Sequence, residues 1–536
     1  MNNIYQFHNE RRLNGGARWA REEEIRQIAH EIHLNNISQS GMGGLPLISD
    51  GSTVYVDNSD NHNLIIGSTG SKKTRLCAMP MLTIFMNSGE SVIVTDPKGE
   101  LYALTAGSFE NHGYAVDVIN LRDPLHSNGW NPLSLAREYQ NAGDTDKASS
   151  IINDFSCTFI SDPPNSRADP FWTHTARSML QGLTHMLVEG ISYFEDNEVN
   201  ILNLRALSDN LNLEYSYGEM STFDLLNSYP EDSLARYNLN AIKRGSEKTF
   251  DNIKVSYDAP MQRLYIQQSL IRMLSVNEVN FRKYGNRKSV LFLILPDEKT
   301  TLHPIASLII KQCYEQLIDS AQNCPNHSLP IRVNFLLDEF SNLPAIPDMP
   351  SMISAARSRN IRFHLVIQGL YQLSSKYGND DAHTIKGNCG NWVFLTSREL
   401  PLLDEISTLC GVDAITGERL ISVSQLQRLN KEKGEALMLI GRQYPYIAQL
   451  PDISQYKVLT PVDKTLPILT SHNTSLSFDD ICTIISKKHF SPDSNECCSV
   501  IEDDDDEDTL NDDTIQKILE DKFEKLFGRY TTNADT

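Results

Sequence analysis

Positive charge is scarce in this chain: 48 Lys and Arg stand against 69 Asp and Glu, for a formal net charge of -21 and a pI near 5.1. Such a surface repels nucleic acid as a whole, so any contact with DNA has to be local. The nine cysteines form no C-x-x-C pair and no regular framework, apart from adjacent Cys497 and Cys498. Reduced thiols in a cytosolic protein follow, rather than a disulfide network. Long apolar runs are also missing. The longest candidate, Leu76 to Met86, is interrupted by Pro80 and falls well short of the roughly 20 residues of a membrane span. The opening MNNIYQFHNERRLNGG is polar where a signal peptide needs an apolar stretch. These absences predict a soluble, cytoplasmic protein, still able to dock on a membrane-bound partner. A length of 536 residues with 40% hydrophobic content leaves room for about two to four domains.

The chain is organised around Asn63 to Thr74, NLIIGSTGSKKT. Leu64, Ile65 and Ile66 read as a buried strand, and RLCAMPMLTIFM after Thr74 reads as a helix interrupted at Pro80. Strand, glycine-rich loop and helix make the frame of a phosphate-binding P-loop. Gly67, Ser68, Thr69, Gly70, Ser71 and Lys72 would wrap the phosphates of ATP with backbone N–H groups. Lys73 would neutralise them, and the Thr74 hydroxyl would ligate Mg2+. One position departs from G-x-x-x-x-G-K-[ST], because Lys72 replaces the second glycine. Glycine there often adopts a conformation that costs other residues roughly 1–2 kcal/mol. Taken alone, the stretch is equally an ordinary Gly-Ser turn, so it needs a partner motif.

That partner is RVNFLLDEF, Arg332 to Phe340, an apolar strand ending in Asp338 and Glu339. Beside a P-loop, Asp338 would hold the magnesium shell and Glu339 would polarise the attacking water. Standing alone, the pair reads as a strand cap. The strand Ile361 to Ile367 ends in Gln368, either a sensor of the γ-phosphate through a water or a surface amide. SMISAARSRN, Ser351 to Asn360, reads as a helix with Arg357 and Arg359, which either solvate its end or reach a neighbour's nucleotide in a ring. Thr95 to Glu100, TDPKGE, follows the strand Ser91 to Val94 as either a ligand-facing cluster or a capped turn.

Around these motifs the pattern predicts an α/β fold with an all-α insertion. An amphipathic helix carries Ile25, Ile28, Ala29 and Ile32, and a hairpin lies around Thr53 to Val56. Segments 1–40 and 41–140 read as a docking segment and the first part of a nucleotide-binding domain. Segments 141–285 and 286–461 read as the all-α domain and the second part, with a final strand at GEALMLIG and closure near Pro461. Residues 462–536 read as an acidic, disordered tail containing IEDDDDED (Ile501 to Asp508), with an amphipathic helix over Asp513 to Phe527.

Several stretches beyond the P-loop resemble the type IV secretion coupling proteins, the TraG/TraD-type conjugation ATPases. They are GARWA (Gly16 to Ala20), VTDPKGEL (Val94 to Leu101), SNGWNPL (Ser127 to Leu133) and DPFW (Asp169 to Trp172). EKTF (Glu247 to Phe250), LLDEFSNLP (Leu336 to Pro344), ARSRNI with VIQ, and the closing GEALMLI follow in the family's order. The resemblance implies a RecA-like motor domain using ATP and Mg2+, interrupted by a cargo-meeting all-α domain and assembled as a homo-hexamer. It also implies delivery of a relaxase–DNA complex, single-stranded DNA or protein substrates to a membrane-embedded secretion channel at the cytoplasmic face of the bacterial inner membrane. By position, Lys73, Thr74, Asp338, Glu339 and Gln368 take the roles given above, with Arg357 or Arg359 acting in trans. The family usually begins with transmembrane helices before the GARWA-like segment, where this chain has polar residues. That implies a soluble form working with a separate membrane subunit, or a truncated one. Lys72 leaves open a different class of function, a non-hydrolysing adaptor that presents cargo.

Overall fold

The computed structural model describes residues 16–34, 43–161, 169–211, 220–413, 416–456, 464–471 and 474–489. The acidic run and the helix expected over Asp513 to Phe527 lie outside them. Three short strands, β1 (His30–His33), β2 (Leu45–Ser49) and β3 (Thr53–Asp57), make a small antiparallel sheet with β3 in the middle. The chain then lays down β4 (Asn63–Gly67), β5 (Ser91–Asp96) and β6 (Ala115–Asn120). After a run of helices come β7 (Ser289–Ile294), β8 (Val333–Leu337), β9 (Ile361–Ile367), β10 (Asn391–Thr396), β11 (Glu435–Ile440) and β12 (Tyr446–Gln449). These nine form one sheet in the order β12-β11-β10-β4-β9-β8-β5-β7-β6. Pairing is parallel from β10 across to β6, while β11 and β12 run antiparallel at one edge.

A parallel sheet covered on both faces needs strands apolar on both faces, and β4, β5, β7, β8 and β9 are buried throughout. Alternation along β4 assigns its side chains to opposite layers. Leu64 and Ile66 join the apolar cluster that includes the inserted helices, such as Thr145–Phe159, Pro170–Glu189 and Glu247–Tyr265. Ile65 joins the cluster on the other side, with helices Met79–Ser88 and Glu100–Asn111 and the small sheet. The inserted helices are started by side-chain caps: Asp144, Asp169, Asn200, Ser233 and Ser246 each accept a first-turn N–H. No helix among the described residues is long and apolar enough to cross a membrane.

Four expectations are corrected. The first helix covers only Glu22–Ile28, because Ala29 turns extended and His30–His33 pairs with β3; Ile32 is buried from a strand. Pro80 does not interrupt its helix. A π-helical turn over Thr74–Ala78, with Met79 N–H bonded to Thr74 O, runs directly into Met79–Ser88, and Pro80 is the second residue of that helix. Glu435–Ile440 is not the last strand; the four residues of β12 follow, too few to give a clear period. The folded body also continues past Pro461. Leu469 N–H bonds Leu125 O, Asn203 Oδ1 accepts from Leu476 N–H, and Ile481 and Ile485 of helix Phe478–His489 are buried in the core.

Near the amino-terminal ends of the strands the core holds a network of buried polar side chains. Arg362 and Glu90, each 1% exposed at the side chain, pair at 3.2 Å. Arg362 also donates to the carbonyls of Gly43 and Ser59, at 2.8 and 2.7 Å. Burial holds the His364 imidazole neutral, and as such it donates from Nε2 to Asn334 Oδ1 while Nδ1 accepts from Asn63 Nδ2. Glu90→Gln would leave the buried Arg362 guanidinium without its counter-charge. The variant is expected to lose about 3 kcal/mol of stability, read as a lowered thermal midpoint; an unchanged midpoint would show that the pair carries no net stabilisation.

Candidate nucleotide site

Strand order alone brings the motifs together. The carboxyl end of β4 opens into the P-loop between β9 and β10, with β8 beyond β9 and β5 beyond β8. Gly67, Gln368, Asp338 and Asp96 therefore emerge along one edge of the sheet, the edge at which open α/β sheets bind ligands. The loop is tight: a Cβ on Gly67 would lie 2.4 Å from Ser71 Oγ and 3.0 Å from Lys73 Cγ. Ser68 N–H bonds Thr396 O at the end of β10, and Ser71 N–H bonds Ser68 O. Gly70 and Lys72 both have positive φ, +78° and +66°. Lys72 therefore occupies the left-handed conformation that glycine adopts without strain.

Lys73 is buried, and its ammonium donates to Gly67 O at 2.7 Å and lies 3.5 Å from Glu339 Oε1. Thr74 Oγ1 donates to Asp338 Oδ2 at 3.3 Å, and Thr95 Oγ1 donates to the Asp338 carbonyl at 2.8 Å. Burial, then the neighbouring Glu339 charge, push the Asp338 carboxyl up to about 6. Glu339 has φ +52°. Its Oε2 accepts from Gln368 Nε2 at 2.8 Å and from Asn342 Nδ2 at 3.4 Å. Thr69 Oγ1 in turn donates to Gln368 Oε1 at 3.4 Å. A cavity of about 320 Å³ opens here, lined among others by Thr69, Thr74, Asp96, Lys98, Asp338 and Glu339.

Five of the residues singled out in the sequence, Lys73, Thr74, Asp338, Glu339 and Gln368, thus meet in one cluster. Arg357 and Arg359 do not join it. They precede β9 while Gln368 follows it, and seven strand residues span roughly 20 Å. Arg357 instead donates to Asn61 Oδ1 and the Asn388 carbonyl, at 3.2 and 3.1 Å. Asp96, Lys98 and Asn342 line the cavity without having been assigned to it. The TDPKGE cluster was the signal for the first two; nothing marked Asn342.

The loop fits a polyphosphate. The Ser71 hydroxyl is buried without a hydrogen-bond partner, and the N–H groups of Gly70 and Lys72 donate to no backbone carbonyl among the described residues. Among the described residues no group of three or more His, Cys, Asp or Glu is placed to hold a metal. A magnesium ion at Thr74 and Asp338 would therefore complete its oxygen shell from phosphate and water, as magnesium does at nucleotide sites.

A sequence profile of the family described as "Type IV secretory system Conjugative DNA transfer" matches residues 18–434. The chain belongs to that family. Among its relatives is the conjugal transfer protein TraG of Escherichia coli, 24% identical over 439 residues that span 76% of this chain and 66% of TraG. VirD4 of Rhizobium rhizogenes is 24% identical over 409 residues, 73% of this chain and 55% of VirD4. The chain thus spans less than two thirds of the length of these relatives. Among solved structures, the plasmid coupling protein TrwB in complex with the ATP analogue ADPNP superposes with a TM-score of 0.60 over 85% of this chain and 97% of TrwB, at 14% identity. TrwB in complex with ADP and Mg2+ superposes at 0.57 with 13% identity. This member of the conjugative DNA transfer family therefore has the coupling-protein fold, a RecA-like α/β sheet with an inserted helical region.

The raised Asp338 carboxyl gives a pH signature in the absence of nucleotide and metal. Its protonated form favours the folded state, a contribution complete below the ordinary value of 3.8 and lost as pH rises through about 6. Asp338→Asn, which cannot ionise, is expected to exceed the parent in thermal stability near pH 8 by on the order of 2 kcal/mol. Near pH 4 that advantage should vanish; an equal gap at both pH values would mean that Asp338 is not shifted.

Proposed function

We propose that the protein is a coupling ATPase that recruits DNA–relaxase or protein substrates and delivers them to a type IV secretion channel by hydrolysing ATP. The observation that carries this reading is the single cluster of Lys73, Thr74, Asp338, Glu339 and Gln368 at the carboxyl edge of the sheet, in a chain of the conjugative DNA transfer family. The adaptor reading would tolerate loss of these residues, and all five are present and assembled.

In this proposal the P-loop N–H groups and the Lys73 ammonium hold the β- and γ-phosphates. Thr74 and Asp338 hold Mg2+, which when bound offsets the charge of the phosphate oxygens. Glu339 orients the attacking water and takes its proton, while Gln368, bonded to Glu339, links that carboxylate to β9. Neither arginine reaches the site of its own chain, so Arg357 or Arg359 serves the nucleotide of a neighbour in a homo-hexameric ring. Segments 41–140 and 286–461 form the motor, and the helical insertion over 141–285 faces cargo. The working place is the cytoplasmic face of the bacterial inner membrane, at a membrane-embedded channel or membrane subunit. Any contact with single-stranded DNA is local, because the chain as a whole carries a charge of -21.

Glu339→Gln is expected to bind ATP and to turn it over at least about 100-fold more slowly than the parent. Equal rates would remove Glu339 from the chemistry. Mixing tests the ring. Lys73→Ala and the arginine variant, Arg357→Ala or Arg359→Ala, should each be inactive alone and recover turnover when combined, since some interfaces then pair an intact Lys73 with an intact arginine. Absence of recovery for both arginines would rule out their action in trans.

A further inference from the structure

Lys72 occupies a glycine position in a glycine conformation, and the nucleotide reading by itself does not say what holds it there. Its ammonium meets Glu432 Oε2 at 2.6 Å, across 360 residues of sequence. Glu432 is presented by a closely built turn. Asn430 Oδ1 accepts from the N–H groups of Glu432 and Lys433, at 3.0 and 3.2 Å, and Glu435 closes the turn by bonding Asn430 in both directions. Gly434, at φ +68°, leaves no room for a side chain, because a Cβ would lie 1.9 Å from Leu450 O. The turn is thereby fixed to the end of β12.

A second tie comes from that same hairpin. Arg75 makes a two-pronged pair with Asp452, Nε to Oδ2 at 2.8 Å and Nη2 to Oδ1 at 2.5 Å. Asp452 is itself held by the N–H and hydroxyl of Ser454. Lys73 and Thr74, the residues assigned to phosphate and magnesium, are therefore bracketed by Lys72 and Arg75. Both brackets are tied to residues flanking β11 and β12.

We propose that the β11–β12 hairpin is a clamp on the P-loop, in which Glu432 is a positioning residue acting through Lys72 to hold the loop in its phosphate-binding shape. An ion pair here substitutes for the conformational freedom of the missing glycine. The clamp rests on the nucleotide reading above, and its distinguishing property is conditionality: Glu432 matters only while a lysine occupies position 72.

The test is equilibrium binding of a fluorescent ADP with Mg2+ to the full-length chain and its variants. Lys72→Met and Glu432→Gln are each expected to weaken binding by about two- to fivefold, the range of an exposed ion pair. The double variant should be no weaker than either single one. In a Lys72→Gly background, Glu432→Gln should change nothing, whereas a merely structural role of the turn would weaken binding in both backgrounds. Lys73→Ala separates the two readings. If it abolishes binding while Glu432→Gln has no effect, or has the same effect in the Lys72→Gly background, the clamp is overturned and the nucleotide site stands. If Lys73→Ala leaves binding intact, or the parent binds no nucleotide, the nucleotide reading fails and the clamp with it.

Discussion

Both faces of the parallel sheet are covered by protein, and that constraint decides where chemistry can be done. A strand with no free face has to be apolar along its length, so polar groups emerge only where strands end. At the carboxyl ends they appear as Gly67 with its loop, Gln368, Asp338 and Asp96. At the amino ends they appear as Glu90, Arg362, His364, Asn334 and Asn63, each satisfied by another. The two ends solve opposite problems. One pairs its buried charges and imidazole internally; the other leaves the Ser71 hydroxyl without a hydrogen-bond partner and the N–H groups of Gly70 and Lys72 without a backbone acceptor among the described residues.

The parts of the site legible in the sequence were those set by local rules. A P-loop announces itself by composition because glycine and lysine have to occupy fixed offsets, and DE after an apolar strand does so because the strand ends there. Gln368 was readable for the same reason, being the first polar residue after seven buried ones. Asn342 was not, because it reaches Glu339 from a 3-10 turn whose path depends on tertiary packing. The partnership of Lys72 with Glu432 was equally invisible, since nothing local connects residues so far apart in the chain.

Errors in the fold reading have a common source. Ile32 fits a helical period with Ile25 and Ile28, yet it is buried from β1, because two periods agree over so short a stretch. β12 has only four residues, and its strand character comes from pairing with β11 rather than from its own pattern. The segment beyond Pro461 is polar on average, but Leu469, Ile481 and Ile485 are spaced to reach the core. In each case tertiary contact overrode the local signal.

The π-helical turn over Thr74–Ala78 carries a consequence for the path of the chain. A π step winds one residue more into a turn than an α step does, and so stores a small surplus of chain directly behind the P-loop. All ten residues of the helix that follows, Met79–Ser88, are buried. With that side anchored, the surplus lies toward the loop, beginning at Thr74 and directly after Lys73. The turn is an extra length of chain placed between a buried helix and the loop that carries Lys73.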